Sequence, residues 1–331
     1  MLQKIFTCFS FLLISFFANN SPAATVSTNE IIKPYENKID YYIPKKMNRA
    51  IVFLHGGGGK KEALAFDLGI KLDETDQNYT ISTEGAKWLD STGTIAIFPQ
   101  GITLDGYSAW TWSNYVMTNG KDDVAFLKAL VTSFTSDPRF TGIDKIYLAG
   151  HSNGGMMVNR MWCESPSTFK GYASLAGPAS SHLNPNGGSN PCIPSKSKPY
   201  IGIIGNSDTV ISTTNKMDSA LWTISKAVRA GNPPTWVDNP PQVMNEINFY
   251  SNKIFSKCSE SLTTPTSASG IDTYSNCGTS MKLIIVKQNT TTTTGGDHCL
   301  TRLSGPCKTT LAGDTGLDYK QTILDFFKGL N

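Results

Sequence analysis

Short apolar runs rich in β-branched residues recur along the chain, and each ends in a turn signal. They are Ala50 to Leu54, Thr94 to Phe98, Lys145 to Ala149, Pro199 to Ile204 and Lys282 to Val286. Runs of this kind, without strict alternation, are what strands buried on both faces of a parallel sheet look like. Helical periodicity lies between them. In Asp122 to Asp137, Val124, Leu127, Leu130 and Val131 form one stripe behind acidic residues at the N-terminus. Gly154 to Ser165 and Leu317 to Leu330 carry two further helical patterns, the second amphipathic. Strands alternating with helices predict an α/β architecture, a mostly parallel central sheet with helices on both faces. Two stretches lack either period. Residues 230–248 are proline-rich and residues 259–276 are polar, and both are predicted to be loop excursions from a single domain. Thr290 to Thr294 is low-complexity and reads as a loop or edge segment.

The N-terminus departs from this pattern. Lys4 precedes an apolar core, Ile5 to Phe17, that is too short to span a membrane, and small residues up to Ala24 follow. Residues 1–24 are therefore expected to be a cleaved export signal, and residues 25–331 one mature domain in the periplasm or outside the cell. No later apolar run is long enough to predict a stable membrane anchor. Of the 331 residues, 39% are hydrophobic and 17% charged, a globular composition with a quiet surface. Net charge is only +3, and basic residues cluster no further than pairs such as Lys60-Lys61, so nucleic acid is not an expected partner. Cys8 would leave with the signal. Six of the seven cysteines remain: Cys163, Cys192, Cys258, Cys277, Cys299 and Cys307. An even count in an exported chain implies disulfides, with connectivity left open. No C-x-x-C pair occurs, which argues against a zinc site.

The chemistry concentrates where "IYLA" runs into "GHSNGGMM". G-x-S-x-G between a strand and a helix is the nucleophile-elbow pattern. Gly150 and Gly154 occupy the positions where strand and helix crowd each other, leaving Ser152 exposed at the turn. A serine hydroxyl needs a base at neutral pH. Of four histidines, His151 adjoins Ser152 and should point elsewhere, His55 opens a glycine loop it is expected to shape, and His182 lies in a polar loop. His298, in "TGGDHCL" after the last strand, is the candidate base. Asp208, in "GNSDTVI" directly after a strand, is the candidate acid, with Asp218 and Asp238 as alternatives. Nucleophile, acid, base is the chain order of α/β-hydrolases. An acyl-transfer site also needs oxyanion donors. Backbone N–H groups of Asn153 and of Gly57 or Gly58, in "LHGGGG", are the candidates. "GGGGKK" does not fit a phosphate loop, since Lys60 is not followed by Ser or Thr.

Together, "LHGGGG", "FPQG", "WTWSN", "DDVAFLKALV", "YLAGHSNGGMM", "GNSDTVI" and "GGDH" resemble the esterase family of polyhydroxybutyrate depolymerases, which includes feruloyl and acetylxylan esterases. The likeness runs over roughly residues 40–328. It implies an α/β-hydrolase fold, a Ser152–Asp208–His298 triad, an oxyanion hole from Gly57 and Asn153, and no cofactor or metal. Cys258 and Cys277 also resemble the family's pair. Local pairing, Cys163–Cys192, Cys258–Cys277 and Cys299–Cys307, is the arrangement expected, with the third bridge anchoring His298. The segment after His298, "DHCLTRL", departs from the family's usual pattern at the substrate mouth. Trp110 and Trp112 are candidate substrate-binding residues, offering flat apolar faces, with core packing as the competing reading. The expected function is ester hydrolysis by a monomer through an acyl-enzyme. The resemblance favours short hydroxyalkanoate esters over feruloyl or acetylxylan esters. A peptidase and a binding protein on an inactive hydrolase scaffold are the rival classes.

Overall fold

The computed structural model of the chain describes residues 23–103, 110–116, 119–183, 189–192, 198–205, 208, 266–268, 270–276, 280–286, 298 and 317–330. Two β-strands open it, β1 (Thr25–Ile31) and β2 (Lys38–Ile43), followed by β3 (Arg49–Leu54). Helices α1 (Lys61–Asp67) and α2 (Thr83–Thr92) lead to β4 (Thr94–Pro99) and a small hairpin, β5 (Ile102–Thr103) with β6 (Trp110–Thr111). Then come α3 (Asp123–Ser136), β7 (Ile146–His151), α4 (Asn153–Glu164), β8 (Tyr172–Leu175) and β9 (Tyr200–Gly205). The last elements are β10 (Thr266–Ala268), β11 (Ile271–Asn276), β12 (Met281–Val286) and α5 (Tyr319–Lys328).

Ten strands form one sheet in the order β1-β2-β4-β3-β7-β8-β9-β12-β11-β10. The six central strands, β4 to β12, run parallel, and both flanks are antiparallel. All five apolar runs of the sequence fall in this parallel block. Their burial explains the missing alternation: every residue of β4 and β9 is buried. Successive side chains of β3 feed opposite cores. Ala50, Val52 and Leu54 face a cluster with Phe126, Leu130 and Met157, while Ile51 and Phe53 face one with Leu64, Leu89 and Phe327. Helices α3 and α4 thus cover one face, and α1, α2 and α5 the other. In α3 the buried stripe is Phe126, Leu127, Leu130 and Phe134, and Val124 and Val131 lie at its margin.

The stretch 259–276 is not all loop. Thr266–Ala268 and Ile271–Asn276 form an antiparallel hairpin that extends the sheet beyond β12, turning at Gly270 with φ 78°. A polar strand lacks the apolar run that flags buried ones, and an edge position tolerates it. The other expected excursion, 230–248, and most of the expected export signal lie outside the described residues. Among the described residues, no helix is long and apolar enough to cross a membrane.

Candidate active site

The site stands at the C-terminal ends of the parallel strands. β7 ends at His151 and α4 begins at Asn153, so one residue makes the whole reversal. That residue, Ser152, holds φ 54° and ψ −120°, sparsely populated for a side chain other than glycine. Its N–H is tied to Leu175 O at 2.8 Å. The flanking glycines are dictated by space. A Cβ on Gly150 would lie 2.4 Å from Gly154 O, and one on Gly154 would lie 2.3 Å from Leu54 O. The elbow closes only because both are absent.

The structure brings Ser152, His298 and Asp208 together across 146 and 90 residues of chain. His298 Nε2 lies 2.8 Å from Ser152 Oγ, and His298 Nδ1 lies 2.7 Å from Asp208 Oδ2. Asp208 and His298 are 7% and 8% exposed. A carboxylate can only accept, so Nδ1 carries the proton and Nε2 presents its lone pair to the serine hydroxyl. This is the arrangement in which a base can draw a proton from a nucleophile while a carboxylate steadies the resulting cation.

The oxyanion candidates flank the same serine. As the first residue of α4, Asn153 has a backbone N–H with no partner inside the helix. Its side chain is used structurally: Oδ1 accepts from Trp112 N at 2.8 Å and from Thr111 Oγ1 at 3.0 Å. Facing it is the glycine loop after β3, where a Cβ on Gly56 would meet Ser152 Cβ at 3.2 Å. Gly58 donates its N–H to Trp110 O at 2.7 Å. Of the two glycines expected from the sequence, Gly57 is therefore the candidate second donor.

His55 shapes this loop. Its Nδ1 lies 2.7 Å from Gly56 O, and its Nε2 accepts from Gly101 N at 2.8 Å. One nitrogen donates and the other accepts, so the ring is neutral, and burial depresses its pKa to about 4. His182 is exposed and bonds Ser189 Oγ at 2.6 Å. His151, expected to point away, instead lies with its Nε2 2.9 Å from the backbone carbonyl of His298.

The two tryptophans separate. Trp112 is fully buried, donates Nε1–H to His55 O at 3.0 Å and stacks near Phe126, so it is a core residue and not a substrate platform. Trp110, in β6 two residues earlier, is half-buried with Lys60 Nζ 5.5 Å from its ring centroid. Trp110 and Gly58 help line a cleft of about 900 Å³ whose other walls include Lys60, Glu36, Gln77 and Tyr79. Beneath it Lys61 is buried, with Nζ 2.6 Å from Asp40 Oδ2 and 2.6 Å from Glu62 Oε1. Nothing in the sequence marks the Lys61–Asp40 pair, since charges 21 residues apart read as solvated. Cys163 and Cys192 are bridged, pinning the end of α4 to the segment before β9. The expected pairs Cys258–Cys277 and Cys299–Cys307 lie outside the described residues.

No protein-family profile matches the chain. It is 30% identical over 135 residues to a Nocardia uniformis subsp. tsuyamanensis protein described as "Putative esterase NocK", a match covering 41% of this chain and 34% of that protein. The chain thus matches about a third of that relative's length. Among solved structures it resembles the acetyl xylan esterase from Aspergillus awamori, with a TM-score of 0.50 and 16% identity over 93% of this chain and all of that one. Esterase PE8 is more distant, with a TM-score of 0.43 and 14% identity over 87% and 95%. The first likeness, with the mostly parallel sheet and the elbow at its centre, identifies the fold as that of an α/β-hydrolase.

Proposed function

We propose that this protein is a serine carboxylic-ester hydrolase acting through an acyl-enzyme. The observation that carries the reading is the continuous hydrogen-bonded chain from Ser152 Oγ through His298 to Asp208, set on a strained elbow. In the first half-reaction Ser152 Oγ attacks the ester carbonyl and His298 Nε2 takes the hydroxyl proton. The N–H groups of Asn153 and Gly57 receive the oxyanion of the tetrahedral intermediate. His298 then hands its proton to the departing alcohol. In the second, His298 takes a proton from water as it attacks the acyl carbon, and returns it to Ser152 as the acid leaves. Asp208 holds the imidazole in its productive tautomer throughout.

For the substrate, an ester of a polyhydroxylated alcohol, such as an acetylated glycan, has the support of the cleft beside the glycine loop. Polar and charged residues such as Lys60, Glu36 and Gln77 line it together with the aromatic faces of Trp110 and Tyr79. Short hydroxyalkanoate esters are the second reading, carried by the motif resemblance. The burial of Trp112 leaves Trp110 as the one of the two tryptophans available to any acyl group. Export is part of the proposal and is supported by the Cys163–Cys192 bridge, since disulfides persist in oxidising compartments. The single mature domain and monomeric state expected from the sequence belong to the same proposal.

A substrate panel tests these readings together. Acetylated xylo-oligosaccharides, hydroxybutyrate oligomers, methyl ferulate and p-nitrophenyl acetate are compared for the parent and for Ser152→Ala. We expect release of acetate from the oligosaccharides to exceed release from hydroxybutyrate, and Ser152→Ala to abolish both. The reverse order with intact Ser152 dependence selects the second reading. Activity of Ser152→Ala within tenfold of the parent on any ester removes the mechanism.

A further inference from the structure

The base of a serine hydrolase must keep both ring nitrogens in register with partners on other strands. Among the described residues, three contacts hold His298. Two are the ring's own bonds, to Asp208 and Ser152. The third reaches its main chain: His151 Nε2 lies 2.9 Å from His298 O. We propose that His151 is a positioning residue, its Nε2–H holding the main-chain carbonyl of His298 and so setting the height of that imidazole above the sheet.

A carbonyl oxygen only accepts, so the bond requires the proton on His151 Nε2. His151 ends β7, whose last residues pair with β3 and β8, so the donor stands on a central strand held on both sides. The next residue is Ser152, so one strand end fixes both the nucleophile and the base that must reach it. Main chain and ring of His298 are thereby both held by the end of β7. The two ring centroids sit 5.1 Å apart at 45°, and both ring nitrogens of His298 are already engaged by Asp208 and Ser152, so His151 holds the main chain and not the ring. On its other side His151 abuts the glycine loop: a Cβ on Gly56 would lie 3.6 Å from His151 Nδ1. His151 therefore links the nucleophile strand to the base and stands beside the glycine loop.

The ring is suited to this role because it stays neutral. Burial, then the neighbouring His298, depress its pKa to about 4, while Asp208 opposes the shift. When His298 becomes cationic during turnover, a neutral neighbour adds no repulsive charge. A lysine or arginine here could donate to the same carbonyl but would oppose that cation.

The inference rests on the esterase reading, and two variants with two readouts separate the failures. His151→Gln keeps an N–H donor near the position of Nε2. His151→Asn is polar but too short to reach the carbonyl. The first readout is steady-state kinetics on p-nitrophenyl acetate. The second, independent of turnover, is the strongly downfield NMR resonance of the proton shared by His298 Nδ1 and Asp208. We expect His151→Asn to lower kcat on the order of 10²-fold, the loss associated with about 1 Å of misplacement, with KM within about threefold. Its downfield proton should broaden or vanish. His151→Gln should recover most of kcat and the resonance. The proposal is overturned if His151→Asn keeps parental kcat, or if both variants retain a sharp downfield proton. Should the parent show that proton but no hydrolysis and no labelling by a fluorophosphonate, the esterase reading fails instead, and loss of the resonance in His151→Asn alone still supports the positioning role.

Discussion

Substituting Gly154 by alanine tests whether the packing of the elbow sets the reaction geometry. The new Cβ would lie 2.3 Å from Leu54 O and 2.6 Å from His55 O, both backbone atoms that cannot rotate aside. Ordinary contact begins at 3.4 Å, so α4 and the end of β3 must separate by about 1 Å. That gap opens between Asn153 and the glycine loop, the two sides of the oxyanion site. A displacement of this size costs on the order of 10² in kcat, and overpacking lowers stability by about 1–3 kcal/mol. Gly142→Ala separates the two effects. Gly142 has φ 85° with nothing near its would-be Cβ, and it precedes the N-terminal end of β7 while Ser152 follows its C-terminal end. There the cost is backbone strain alone, about 1–2 kcal/mol, with kcat unchanged. The assay is kcat on p-nitrophenyl acetate beside thermal unfolding for both variants. If Gly154→Ala retains kcat within about threefold of the parent, or if the two variants lose kcat equally, the close approach at the elbow is not what positions the chemistry.

Other outcomes follow from neighbouring features. Asp208→Asn should lower kcat on the order of 10⁴-fold by favouring the wrong tautomer of His298, while Asp218→Asn and Asp238→Asn stay near the parent; a larger loss at either of those would reassign the acid. Lys61→Met leaves Asp40 buried without its cation and should cost about 3–5 kcal/mol in chemical denaturation, most of it regained in Lys61→Met with Asp40→Leu. Opening Cys163–Cys192, which closes a separation of 29 residues, by double serine substitution should cost about 3 kcal/mol with kcat on the residual folded protein unchanged. His55 and His151 are both depressed to about 4 against an ordinary 6.5. The unfolded chain binds more protons in that window, so their contribution is complete above pH 6.5 and is lost as pH falls towards 4. The melting temperature should drop across that range, and His55→Gln should flatten the drop; an unchanged slope would remove His55 from it.

The parallel core was legible because burial on both faces writes itself as apolar runs such as "AIVFL" and "TIAIF". The elbow was legible because its two glycines stand at fixed spacing about the serine, each imposed by a backbone contact, Gly150 with Gly154 and Gly154 with Leu54. What escaped the sequence depends on neighbours remote in the chain. β1 mixes charged and apolar positions because it is the half-covered edge strand, and β2 carries a buried Asp40 whose partner Lys61 lies on α1. β10 and β11 carry no apolar run, and they extend the sheet beyond the parallel block. Trp110 and Trp112 are equivalent as letters, and only the packing of Phe126 and the carbonyl of His55 assigns Trp112 to the core. The Lys61–Asp40 pair joins α1 to β2, and neither residue carries a local sign of burial. For His151, adjacency to the nucleophile suggested a side chain turned away. A strand does alternate its side chains, but the chain bearing His298 returns over that same end.

The central claim, that Ser152 is a nucleophile activated by His298, is tested most directly by intact-mass and peptide mapping after brief exposure to a fluorophosphonate. We expect a single adduct on the peptide carrying Ser152, absent from Ser152→Ala and slowed on the order of 10³-fold or more in His298→Ala, because the hydroxyl without its base is a poor nucleophile. Ester hydrolysis by a protein that takes up no label, or a label on any other residue, would contradict the account.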